Sequence, residues 1–169
     1  MSLCYVVEII VIFRLELIRR IFFNMKTKKD AFAKYGIVQD NERWSWSGIN
    51  TDITPPIDPN LELPLCVMTI WTDQRKFDNE KRQYEWSIFN SENEIWRDSL
   101  GNKKRIEHIR FCLDKLDGKF KAIFVEPINP GIYDETRSIK KITVNHRISF
   151  KITEFDEETG ECSAIGKLD

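Results

Sequence analysis

The chain has 169 residues, of which 41% are hydrophobic and 12% aromatic, enough for one globular domain with a sizeable core. Charged residues make up 31%, yet the formal net charge is −1. The molecule as a whole is therefore no polycation, and any surface for a polyanion has to be local. Cys4, Cys66, Cys112 and Cys162 are scattered, with no Cys-x-x-Cys pair, and the only histidines are His108 and His146. That spacing lacks the paired ligands of a zinc site, so no metal and no cofactor are expected. Free thiols inside apolar patterns behave as small hydrophobes and point to a reducing, cytoplasmic setting.

Residues 5–23 are strongly apolar but are interrupted by Glu8, Arg14, Glu16, Arg19 and Arg20. A membrane span needs about 20 mostly apolar residues, and a signal peptide places its positive charge before the apolar run. Neither pattern is met. The run Met25-Lys26-Thr27-Lys28-Lys29-Asp30 reads as a natural start, with translation expected to begin at Met25. This divides the chain into an apolar extension over 1–24 and a single domain over 25–169.

Within that domain, Thr27 and Asp30 form a capping-box pair for a short helix over 28–35, closed by Gly36. Trp44 and Trp46 follow on an expected strand, where residues two apart share a face. Pro55, Pro56, Pro59 and Pro64 keep the next stretch out of any sheet. Leu65 to Trp71 is nearly all apolar, as in a central strand covered on both faces. It is expected to form a hairpin with the alternating strand Gln83–Phe89 across the charged turn 73–82. Residues 90–101 read as irregular, with Ile95 and Trp96 tucked against the body.

The clearest helix runs from about Asn102 to Leu116, with Ile106, Ile109, Leu113 and Leu116 at helical spacing as its buried stripe. Gly118 ends it. A short strand over 122–125, a long alternating strand through Ile142, Val144, Ile148, Phe150 and Ile152, and a last strand over 162–165 complete the pattern. The turn 156–160 joins the last two as a hairpin. The fold class is α+β: a curved, mainly antiparallel five- or six-stranded sheet or partly closed barrel, with one long and one short helix.

No phosphate-cradling glycine loop and no nucleophile elbow is present. His108 falls off the apolar stripe and is expected at the surface. Asn145-His146 is a fragment of a nuclease motif without the second histidine that such a motif needs. Asp73, Asp78, Glu80 and Lys81 supply the residue types of a metal-dependent nuclease, but in a charged turn where such runs arise by chance.

The stronger constellation is aromatic. Trp44 and Trp46 form an indole surface beside Arg43, Trp71 and Asp73 end the apolar strand, and Arg105 lies on the long helix. Indoles stack on bases, arginines hold phosphates, and a carboxylate accepts from an exocyclic amine. Basic residues also gather at Lys103, Lys104, Arg105 and Arg110, and at Arg137, Lys140, Lys141, Arg147 and Lys151.

The order Arg43-Trp44-Ser45-Trp46, then Trp71-Thr72-Asp73, then Arg105-Ile106-Glu107-His108 resembles prokaryotic domains found beside restriction endonucleases. Over about residues 36–168 the order of elements is also similar to PUA-like, EVE-type readers of modified bases. The resemblance implies DNA as partner in a defence setting and assigns no residue. The expectation is thus a non-catalytic DNA- or RNA-binding domain with no membrane association, using Arg43, Trp44, Trp46, Trp71, Asp73 and Arg105. The alternatives are a metal-dependent nuclease and a protein-interaction module with an exposed indole patch.

Overall fold

A computed structural model of the protein describes residues 27–51, 54–56, 58–88, 97–132 and 137–169. The apolar extension and the segment carrying Trp96 lie outside them. Among the described residues no helix is long and apolar enough to cross a membrane.

The fold is α+β. Helix α1 (Lys28–Ala33) starts at the capping box read from the sequence: Thr27 Oγ1 accepts from the Asp30 amide and the Asp30 carboxylate accepts from the Thr27 amide. Seven strands follow: β1 (Ser47–Asn50), β2 (Leu65–Trp71), β3 (Arg75–Asp78), β4 (Gln83–Ile88), β5 (Lys119–Pro127), β6 (Ile139–Phe155) and β7 (Cys162–Leu168). Helix α2 (Leu100–Leu116) lies between β4 and β5. The strands form one open sheet in the order β1-β2-β5-β6-β7-β4-β3, antiparallel except for β2 and β5.

That order corrects the expected hairpin between Leu65–Thr72 and Gln83–Phe89. The charged turn itself contains strand β3, and β4 pairs with β3 and β7, at the far side of the sheet from β2. With both faces apolar, β2 takes an interior position between β1 and β5. Helix α2 supplies the crossover that a parallel pair requires.

The sheet is covered on both faces. On one side α2 packs over Cys66, Met68 and Ile70 of β2, with Phe120, Ala122 and Phe124 of β5 and Phe150 of β6 in the same core. On the other, Phe32 and Tyr35 pack with Leu65, Val67, Ile123, Val125, Ile142 and Val144. The alternation along β2 and β5 produces this division, since successive side chains point to opposite faces.

The buried stripe of α2 is rotated from the expected one. Asn102, Arg105, Ile106, His108, Ile109 and Cys112 are buried, whereas Leu113 is 39% exposed and Leu116 only half-buried. The expectation that His108 sits at the surface is therefore overturned. Its Nδ1 is 2.8 Å from Ser47 Oγ on β1, a buried polar pair that apolar periodicity does not register. Burial holds the His108 imidazole below the usual histidine range. Cys66, Cys112 and Cys162 are free and buried, and burial also pushes the Cys162 thiol up to about 12.

Candidate functional site

Trp44 and Trp46 are not side by side on a strand. The Asn41 carboxamide oxygen accepts from the Arg43 and Trp44 amides, forming a side-chain turn that ends before β1 starts at Ser47. The serines of this segment are buried and the first tryptophan is not: Trp44 is 48% exposed, with the Arg43 guanidinium 5.3 Å from its ring centre. Gly101, at the start of α2, abuts the Trp44 carbonyl. A side chain there would begin 2.4 Å from that oxygen, so the turn is held tightly against the helix.

Trp46 turns inward and is half-buried. The Lys28 ammonium sits 3.6 Å from its ring centre and also donates to the Ser45 carbonyl at 3.1 Å and the Arg43 carbonyl at 3.4 Å. Trp46 meets Trp71 with ring centres 5.6 Å apart, and the Arg137 guanidinium lies 4.1 Å from the Trp71 ring. The Asp73 carboxylate pairs with Arg137 and accepts from the Gly131 amide. The result is a row of cation, indole, indole, cation and carboxylate, in which protein cations occupy faces of Trp46 and Trp71. Among the described residues only Trp44 presents a largely open indole.

Two further site residues therefore have roles other than those expected. Asp73 is engaged by Arg137 and Gly131, where a base edge was foreseen. Arg105 was expected to hold phosphate, but it is buried and donates to the Asn102 side chain and the Gly160 carbonyl. The rest of the α2 cluster is likewise committed in part, since Lys104 pairs with Asp40 and Arg110 with Glu157.

Beside the 41–46 turn lies a cleft of about 290 Å³, lined by Lys28, Lys29, Lys140 and Lys141 together with Glu42. Lys29 pairs with Glu42 at 2.6 Å and Lys140 with Glu126 at 2.6 Å. Lys140 and Lys141 belong to the late-strand basic cluster visible in the sequence. Lys28 and Lys29, more than a hundred residues earlier, reach the same cleft only because α1 packs on the β6 face of the sheet. No local signal could have joined them.

No family model, curated protein or solved structure matches the chain.

The nuclease alternative finds little here. Asp78 accepts from the Glu80 and Lys81 amides of its own turn and pairs with Lys81, while Asp73 faces Arg137. No group of three or more histidine, cysteine or acidic side chains suited to a metal ion occurs among the described residues.

Burial lowers the Lys28 ammonium to about 8. In the unfolded chain the proton stays until about 10.5, so this group raises fold stability as pH climbs from about 8 towards that value. Loss of the proton also removes the cation from the Trp46 face. Tryptophan emission should therefore change with a midpoint near pH 8 in the native protein, and Lys28→Met should abolish that step. An identical step in the variant would show that Lys28 does not report through Trp46.

Proposed function

We propose that the protein is a small non-catalytic nucleic-acid-binding domain of the cytoplasm, with an exposed or modified base as its ligand in a restriction or defence setting. The base stacks on Trp44 and the flanking phosphates enter the lysine cleft. The observation that carries this reading is one half-exposed indole, with Arg43 beside it, next to a cleft with four lysines in its lining. Stacking gives tolerance of sequence and the lysines give salt-dependent affinity. The reducing cytoplasm suits three buried free thiols.

Fluorescence titration with short single-stranded and duplex oligonucleotides, including modified bases, at several salt concentrations tests it. Trp44→Ala should cost about 1–3 kcal/mol of binding per stacked base with little change in salt dependence. Lys141→Ala should weaken binding to all sequences and make the salt slope shallower by about one unit. Trp44 is half-exposed, so its truncation leaves the fold intact. A folded protein that binds none of these oligonucleotides at low salt overturns the proposal.

A second reading, a protein-interaction module, is favoured by Val38 and Leu100, which are 83% and 79% exposed. Leu100 adjoins the residue that abuts the Trp44 carbonyl. Exposed large apolar side chains are also what a protein partner would cover.

A further inference from the structure

Strand β3 ends the sheet. It pairs with β4 on one side, and among the described residues no backbone hydrogen bond engages its other edge. Such an edge is a template for another strand. The register with β4 sets Arg75 opposite Trp86 and Phe77 opposite Tyr84, on the α2 side of the sheet, which leaves Lys76 and Asp78 on the other face. Phe77 is 49% exposed and meets Tyr84 with ring centres 4.8 Å apart, and Tyr84 meets Phe124 at 6.4 Å. The aromatic layer of the α2-side core thus runs out to the edge and stops at a half-covered ring.

The charges on the other face are not balanced within the chain. Lys76 is exposed and has no ion pair among the described residues, because Glu85, opposite it on β4, lies 3.6 Å from Lys81 instead. Asp78 Oδ1 accepts from the Glu80 and Lys81 amides, and Oδ2 lies 3.2 Å from the Lys81 ammonium. The Lys81 side chain is 63% exposed, and a carboxylate oxygen has lone pairs for a second ammonium.

We infer that the protein associates with a second copy of itself by antiparallel pairing of β3 with β3, centred on Phe77. A two-fold axis normal to the sheet turns the same face of both copies the same way, and opposed residues of an antiparallel pair share a face. One residue of β3 must then stand opposite itself on the axis. Arg75, Lys76 and Asp78 would each meet a like charge there. Phe77 meets a second aromatic ring on the α2 side, and on the other face Lys76 of each chain stands opposite Asp78 of the other. Lysine on a short edge strand ordinarily guards against pairing. Here the same charges oppose a shifted register and match their own reversed copy, so they act as a specificity device. With four residues in the strand the contact is small, which sets a weak, concentration-dependent dimer.

Sedimentation velocity of the full chain at rising concentration tests it, and a reversible monomer–dimer equilibrium is the expected result. Lys76→Glu and Asp78→Lys should each be monomeric where the unmodified chain dimerises, since each sets like charges opposite one another. An equimolar mixture of the two variants should dimerise again, because the mixed pair restores opposite charges at both places. Folding is checked by melting curves, since Asp78 also holds its own turn. Where D78K does not fold, Phe77→Cys carries the test: mild oxidation should link two chains across the axis, and adding Lys76→Glu should prevent the link. A chain that stays monomeric at every concentration, a dimer unchanged by K76E, a mixture no more dimeric than its components, or a link that K76E leaves unaffected each overturns the inference.

Discussion

Ile109→Ala is expected to lower stability by about 2–5 kcal/mol, whereas Leu113→Ala, one turn further along the same helix, is expected to cost less than about 1 kcal/mol. Ile109 is fully buried in the core that joins α2 to β2 and β5, so its truncation removes apolar contact and leaves a cavity. Leu113 is 39% exposed, and leucine and alanine differ little as helix formers. Urea titration of both variants checks the pair, and for a chain of this size each kcal/mol also shifts the melting temperature by about 2–4 °C. Equal losses would mean that α2 packs through the stripe of Ile106, Ile109, Leu113 and Leu116.

A second large effect is expected where α2 meets the turn between β6 and β7. Asn102, in the first turn of α2, donates to the Arg97 carbonyl at 3.0 Å and the Thr159 carbonyl at 2.9 Å, and its side-chain oxygen accepts from Arg105. Gly160, with φ of +78°, passes so close that an added side chain would begin 2.6 Å from that oxygen. Burial pulls the Arg105 guanidinium down to about 10, so it depends on these acceptors. Asn102→Ala leaves two carbonyls and a buried charge short of partners and should cost about 3 kcal/mol. Adding Arg105→Met should recover part of the loss, with a coupling energy of about 1–3 kcal/mol measured by the double-mutant cycle. Additive losses would show that Asn102 does not support Arg105.

The same network explains why the arginine looked available to a ligand. On a helical wheel Arg105 adjoins Ile106 and Ile109, and pattern alone treats a charged residue as a surface residue. It becomes a buried residue only because the β6–β7 turn, more than fifty residues later, brings the Gly160 carbonyl to it and Asn102 alongside. His108 is the parallel case, drawn inward by Ser47 of β1.

What the sequence determined by itself was local. The capping box at Thr27 and Asp30 started α1, the apolar run Leu65–Trp71 made an interior strand, and the alternation through Ile142 to Ile152 made the long strand β6. Each of these follows from capping, from two-sided burial or from the two-residue period of a strand, all of which act over a few residues. The α+β class followed from their sum, although the seventh strand, β3, was hidden in a charged turn. Tertiary structure alone decided the strand order, the rotation of α2 and the long-range partners of Lys28, Arg105 and Arg137. It set Arg137 against Trp71 and Asp73, Lys28 against Trp46, and the two lysine pairs around one cleft. Such contacts join residues far apart in the chain, and their energies depend on burial and distance, which no spacing in the sequence encodes.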